Sequence, residues 1–208
     1  MTDELVRKFQ SKDAQIRSRL EEFRGMMKES DQRIFAELAF CLCTPQSKAT
    51  SCWSAVTSLV ENGLLFTGTE NQIRPFLNAI RFGENKSRYI VQARKIFSGG
   101  IKKKLLSMPD PVQLRDWLAE NVMGLGLKES SHFLRNVGLS DNKVAILDRH
   151  ILKNLVKYGV IAEIPKSLTE KRYREIEQKM KDFAQEIGIT LDELDLLFWS
   201  EETGIVFK

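Results

Sequence analysis

Two ionisable side chains, Lys128 and Asp148, have the types and the settings for nucleophilic chemistry. Lys128 stands just after Gly124-Leu-Gly126, inside the run Asn121 to Gly138, which reads as helix, tight glycine hairpin, helix. A Gly-x-Gly turn removes the side chains that would keep a phosphate away. It also lets backbone N–H groups point outward at the mouth of the second helix, where the dipole favours an anion. The same dipole disfavours an ammonium in the first turn, and partial burial acts in the same direction. Both leave Lys128 readier to act as a free amine, a nucleophile able to form a Schiff base. The alternative is a solvated lysine paired with phosphate.

Asp148 follows Val144-Ala-Ile-Leu and precedes Ile151, Leu152 and Leu155, so its side chain lies over a buried helical stripe rather than toward water. An acid there can stabilise positive charge developing on a sugar, or accept a proton from an attacking amine. Aspartate is also a good N-cap, and the two roles are compatible.

The elements that must position this pair are helices. Helical period runs through almost every segment and period-two alternation is missing, so the fold is expected to be all-α. Helices are predicted over 3–24, over an apolar 31–43 that Thr44-Pro45-Gln46-Ser47 breaks, and over 47–61 up to Gly63. Others follow over 70–80 (from Thr69-x-x-Gln72), 85–98 and 111–122 (from Asp110-Pro111). Beyond Asp148 one helix starts at once, Ser167-x-x-Glu170 opens a long one to about 187, and Thr190-x-x-Glu193 opens a last one over 191–201. Without repeats or linkers, residues 1–208 are expected to form one compact domain of two helical lobes, with the helix-hairpin-helix over about 111–138.

A chain of 208 residues with 42% hydrophobic side chains can bury a real core. A formal charge of +4 admits nucleic acid as a partner without establishing one. Lys86, Arg88, Arg94, Lys95 and the run Lys102 to Lys104 read as solvated faces or phosphate contacts. Cys41, Cys43 and Cys52 form no disulfide framework, and Cys-x-Cys without two further ligands reads as buried thiols in a reducing compartment, not a metal site. Apolar runs are too short for a membrane span, and the first thirty or so residues carry charges of both signs, unlike a signal or transit peptide. A soluble cytoplasmic protein is expected.

Gly124-Leu-Gly126-Leu-Lys128 and Leu147-Asp148-Arg-His150 resemble the helix-hairpin-helix DNA glycosylase superfamily. Met123 stands where relatives often have proline, which alters the stiffness of the turn more than its chemistry. Leu42-Cys-Thr-Pro-Gln46-Ser47 is similar to the family segment whose glutamine probes the duplex, and Arg81-Phe82 through Lys86 resembles another family segment. The resemblance spans about residues 30–160. It implies an enzyme that flips a damaged base out of the stack, attacks C1′ with Lys128, and nicks the strand by β-elimination. Asp148 would support the cation and manage protons. Gly124 and Gly126 would hold a phosphate near the lesion, with Gln46 and His150 also on DNA. A monovalent cation on the hairpin carbonyls is the one cofactor the resemblance allows, and a monomer acting on double-stranded DNA is expected.

No cysteine follows Cys52, so the four-cysteine iron–sulfur cluster of endonuclease III-like members has no ligands here. The chain is also too short and too helical for the β-rich extra domain of eukaryotic 8-oxoguanine glycosylases. Its size and its ending, Trp199 to Lys208, look like the compact archaeal and bacterial 8-oxoguanine glycosylases, whose last lysine takes part in reading the base. 8-Oxoguanine carries a hydrogen on N7 where guanine has a lone pair, so a fixed acceptor favours the lesion and leaves guanine unpaired. Lys208 brings an ammonium and a terminal carboxylate to that task, and Trp199 is either a stacking face for the base or a core residue. Phe82 is a further candidate for base contact, with core packing the favoured reading. Two alternatives remain: a cluster-free glycosylase/lyase for oxidised pyrimidines, and a non-catalytic hairpin module that binds DNA.

Overall fold

Helices supply every regular element of the computed structural model, which describes residues 2–208 and has no strand among them. α1 (Thr2–Gly25) buries Leu5, Phe9, Ile16, Leu20 and Phe23 along one stripe. α2 (Asp31–Cys43), capped by Ser30 on the Arg33 N–H, is buried from Ile34 to its end and forms the axis of one lobe. α3 (Ala49–Glu61) and α4 (Leu64–Thr67) meet at Gly63, whose φ of +70° turns the chain.

The helix expected over 70–80 is shorter than its periodicity suggests. α5 (Glu70–Ile73) gives way to a 3₁₀ turn, Arg74–Leu77, at Pro75, which has no N–H to continue the α ladder. α6 (Gly83–Ile96) follows, and the lysine run forms α7 (Ile101–Leu106). α8 (Pro111–Asn121) starts where Asp110 accepts from the Gln113 N–H, and α9 (Leu127–Asn136) is the second helix of the hairpin. α10 (Arg149–Lys157) is followed by α11 (Glu170–Glu186), whose N-cap is Thr169 rather than the expected Ser167. α12 (Leu191–Thr203) begins with a reciprocal cap between Thr190 and Glu193.

The buried apolar side chains fall into two clusters. Residues from Met26 to Val144 make one, while α1 joins residues from Ala145 to Phe198 in the other. The chain therefore crosses between lobes at Val144–Ala145, just before Asp148. α9 sits on the boundary, with Phe133 and Leu134 in the first cluster and Leu127 against the second. After Gly204, at φ +79°, the tail turns back, and Phe207 meets Phe40 edge-on at 6.4 Å.

Cys41, Cys43 and Cys52 are buried free thiols. Burial pushes Cys43 up to about 12 and Cys52 up to about 11, so both stay protonated and inert. No group of His, Cys, Asp and Glu able to hold a metal occurs among the described residues, and no helix is long and apolar enough to cross a membrane. Phe82 does not pack in the core: it is 52% exposed, at the N-cap of α6 with φ +60°.

Candidate active site

The hairpin needs Gly124 for two reasons. Its φ is +95°, and a Cβ there would collide with the Tyr89 ring. Two of the hairpin amides are used within the chain. Leu125 N–H donates to the Val122 carbonyl at 3.0 Å, and Gly126 N–H donates to Glu129 Oε2 at 3.3 Å. Gly124, Leu127 and Lys128 N–H make no hydrogen bond among the described residues. An anion is thus offered open donors at the mouth of α9.

Lys128 projects from that first turn with 27% of its side chain exposed, and its Nζ lies 2.7 Å from Glu129 Oε1. Attack by this amine requires the ion pair to part. Asp148 caps α10: Oδ1 accepts from the Ile151 N–H at 2.8 Å, while its own N–H donates to the Ile146 carbonyl at 2.9 Å. Capping uses one carboxylate oxygen and leaves the other without a partner among the described residues, so the cap and the acid can be the same group.

Both side chains line one cavity of about 470 Å³, a size suited to a small organic group. His150, Trp199 and Lys208 line it too, whereas Gly124, Gly126, Gln46 and Phe82 do not. His150 Nδ1 is 3.5 Å from Glu202 Oε2, a carboxylate that Lys153 also holds at 3.0 Å. Trp199 is half-buried, its ring tilted against Phe207 at 6.5 Å, with one side left to the cavity.

Lys208 is 8% exposed, ion-paired with Glu37, and has its Nζ 3.3 Å from the centroid of the Trp53 ring. Burial lowers its pKa and Glu37 opposes that shift. Glu37 itself is 1% exposed and also accepts from Arg33 at 2.7 Å and Asn136 at 3.4 Å. Sequence reading missed Glu37, although the signal was present: a carboxylate between Ile34 and Cys41 on the apolar stripe of α2.

Three further groups in the cavity wall were also missed. Burial, followed by the positive charges of Arg135, Lys128 and Lys208, holds His132 well below the usual range, so its imidazole is neutral. Arg135 of α9 forms a buried ion pair with Asp195 of α12. Burial pushes the Asp195 carboxyl up to about 7 against the pull of Arg135, with Asp148 and Asp192 adding to the rise. Ser130 through Asn136 of α9 are all buried, which their polar side chains did not announce in the sequence.

Gln46 and Phe82 sit outside the cavity on two adjoining loops, each non-glycine residue at positive φ, +56° and +60°. Such backbone costs about 1–2 kcal/mol per residue and persists because the surroundings impose it. Here Arg81 N–H donates to Ser47 Oγ at 3.1 Å, and the Lys86 ammonium donates to Cys43 O at 2.6 Å, Pro45 O at 2.8 Å and Ser47 Oγ at 3.1 Å. Lys86 is therefore an internal clamp, 3% exposed, and burial lowers its pKa; it is neither a solvated face nor a phosphate contact. Other cations also have partners within the chain. Arg94 bonds the Gly68 carbonyl, Lys102 the Glu29 carbonyl at 2.7 Å, and Lys104 lies 4.1 Å from the Trp117 ring centroid.

A lysine on the first turn of a hairpin helix thus shares a cavity with a capping aspartate. The profile of the 8-oxoguanine DNA glycosylase family matches residues 16–189, and the chain belongs to that family. It is 43% identical over 211 aligned positions to the 8-oxoguanine DNA glycosylase/AP lyase of Fusobacterium nucleatum, covering 99% of this chain and 97% of that one. The crystal structure of the Methanocaldococcus jannaschii 8-oxoguanine glycosylase/lyase with 15mer DNA containing 8-oxoguanine superposes with a TM-score of 0.89 at 34% identity, over 98% of this chain and 99% of that chain. The Thermotoga maritima 8-oxoguanine DNA glycosylase gives 0.84 at 31% identity, with 100% of each chain covered.

Proposed function

We infer that this protein removes 8-oxoguanine from duplex DNA and nicks the strand at the resulting site, as a bifunctional glycosylase/AP lyase. The observation that carries this reading is the shared cavity, in which Lys128 and Asp148 meet Trp199 and Lys208. The Lys128 amine attacks C1′ as the bond from C1′ to the base breaks, and the base leaves with the electron pair and takes up a proton. Asp148 supports the positive charge at C1′ and accepts the proton the amine gives up. Opening of the sugar ring yields the Schiff base. Loss of a proton from C2′ then expels the 3′ phosphate and breaks the strand, and water releases the lysine.

The open amides of Leu127 and Lys128 take a backbone phosphate beside the lesion, and His150 stands close enough to the cavity mouth to join them. Gln46 and Phe82, held at positive φ on clamped loops, enter the duplex where the base leaves. Trp199 stacks on the extruded base and Lys208 reads its edge. The Met123, Gly124 and Leu125 carbonyls take no hydrogen bond from the chain among the described residues and fit a monovalent cation. In this reading the protein acts on double-stranded DNA as a monomer in the cytoplasm.

Borohydride trapping on lesion-bearing duplexes tests the reading. A covalent complex is expected with 8-oxoguanine, and Lys128→Gln should abolish it, together with base excision, while leaving duplex binding within a few-fold. Intact binding with no trapped species would make the protein a non-catalytic hairpin module. Trapping on thymine glycol but not on 8-oxoguanine would move it to oxidised pyrimidines.

A further inference from the structure

Asp148 is reached by a short extended segment that crosses between the lobes, and this segment has no strand to pair with. Val144, Ala145, Ile146 and Leu147 are 1%, 1%, 7% and 2% exposed, so their backbone groups cannot turn to water. Two side chains of α11, one helical turn apart, take the place of a β-ladder. Glu177 Oε1 accepts from the Ala145 N–H at 2.7 Å. Tyr173 Oη donates to the Ala145 carbonyl at 2.5 Å and accepts from the Leu147 N–H at 3.4 Å.

The same Glu177 oxygen also accepts from Arg115 NH1 at 2.7 Å. Arg115 is fully buried on α8, the helix that leads into the hairpin and Lys128, and its guanidinium lies 5.9 Å from the Tyr173 ring centroid. Two lines of chain, one ending at the lysine and one at the aspartate, are thus fastened to a single carboxylate. Neither Tyr173 nor Glu177 lines the cavity.

We propose that Tyr173 and Glu177 are positioning residues that set where Asp148 stands relative to the hairpin carrying Lys128. The proposal rests on Asp148 acting in the reaction inferred above. Misplacing a reacting group by about 1 Å from a distance costs on the order of 10²-fold in rate. Tyr173→Phe keeps the ring in the core and deletes only the hydroxyl that bonds both Ala145 and Leu147. Its single-turnover excision of 8-oxoguanine should fall about 10- to 100-fold while the Kd for lesion duplex stays within about twofold.

A general loss of structure could slow the enzyme as well, so the deciding measurement is a double-mutant cycle with Asp148→Asn. If Tyr173 works through Asp148, Tyr173→Phe costs little further once Asp148 is gone. An equal loss in both backgrounds, or a wild-type rate in Tyr173→Phe, overturns the proposal. Glu177 gives a second reading at a temperature where circular dichroism shows the variants folded. Glu177→Gln keeps the acceptor and should turn over at least about tenfold faster than Glu177→Met, which removes it; equal rates overturn the role of Glu177. A wild-type protein that excises no base would overturn the function instead, whereas an active wild type with an unaffected Tyr173→Phe overturns the positioning alone.

Discussion

Lys128 and Asp148 enter the cavity from the first turns of α9 and α10, and each is held by its own neighbours: Glu129 beside the lysine, and the Ile151 N–H three residues on from the aspartate. Lys208 enters on the returning tail, and the partner that holds it, Glu37, is 171 positions away in the other lobe. The side chains of the proposed reacting pair are thus held at helix ends that the local sequence forms, while α11 holds the segment leading to Asp148. The recognition groups depend on closure of the whole molecule. Chemistry and choice of base should therefore fail separately, and each can be broken without the other.

The largest separation is expected from Asp148→Asn. Asparagine caps a helix as well as aspartate does, so α10 keeps its N-cap and the melting temperature should hardly change. Loss of the carboxylate removes the acid–base group, and single-turnover excision should drop about 10²–10⁴-fold with lesion binding intact. Turnover at the wild-type rate would refute the role of Asp148. A large fall in melting temperature would show that the cap, not the chemistry, was lost.

The opposite break is deletion of Lys208. Strand cleavage at a preformed abasic site needs no base to be read and should proceed at the wild-type rate. The ratio of excision from 8-oxoguanine to excision from guanine should fall by about tenfold, the scale of one lost polar contact to the substrate. An unchanged ratio would detach the tail from base selection, and a parallel loss of abasic-site cleavage would show that the two walls are not independent.

The same division explains what could be read from the sequence. Helix-terminal signals are local, so the hairpin, the Asp148 cap, the Asp110-Pro111 start and the Thr190–Glu193 box were all legible, and with them the positions of the proposed reacting pair. Pro75 showed where locality misleads, because helical period continues across it while the α ladder does not. Contacts between lobes leave no periodic trace. Asp195 and Arg115 were hidden because each is a charge whose partner lies far along the chain, and Lys86 looked like a surface lysine until the loop it clamps was folded over it. Met123 is 53% exposed and leaves the turn to be shaped by Gly124 against Tyr89.

The buried pair between Arg135 and Asp195 joins the helix of Lys128 to the helix of Trp199, so it tests how firmly the two walls are tied. Asp195 is 5% exposed and has Asp148 and Asp192 near it, and its pKa stands at about 7 against an ordinary 3.8. Between those values the folded protein keeps a proton that the unfolded chain releases. Stability from this group is therefore complete below about pH 4 and is lost as pH rises through 7. Asp195→Asn has no proton to lose. The unfolding free energy of the wild type minus that of the variant, measured by denaturant titration from pH 4 to 8, should decline with pH at a slope of no more than about 1.4 kcal/mol per pH unit and level off above 7. A difference that stays constant over that range would mean Asp195 is ionised throughout, making the link between the walls a permanent ion pair instead of one that changes character near neutral pH.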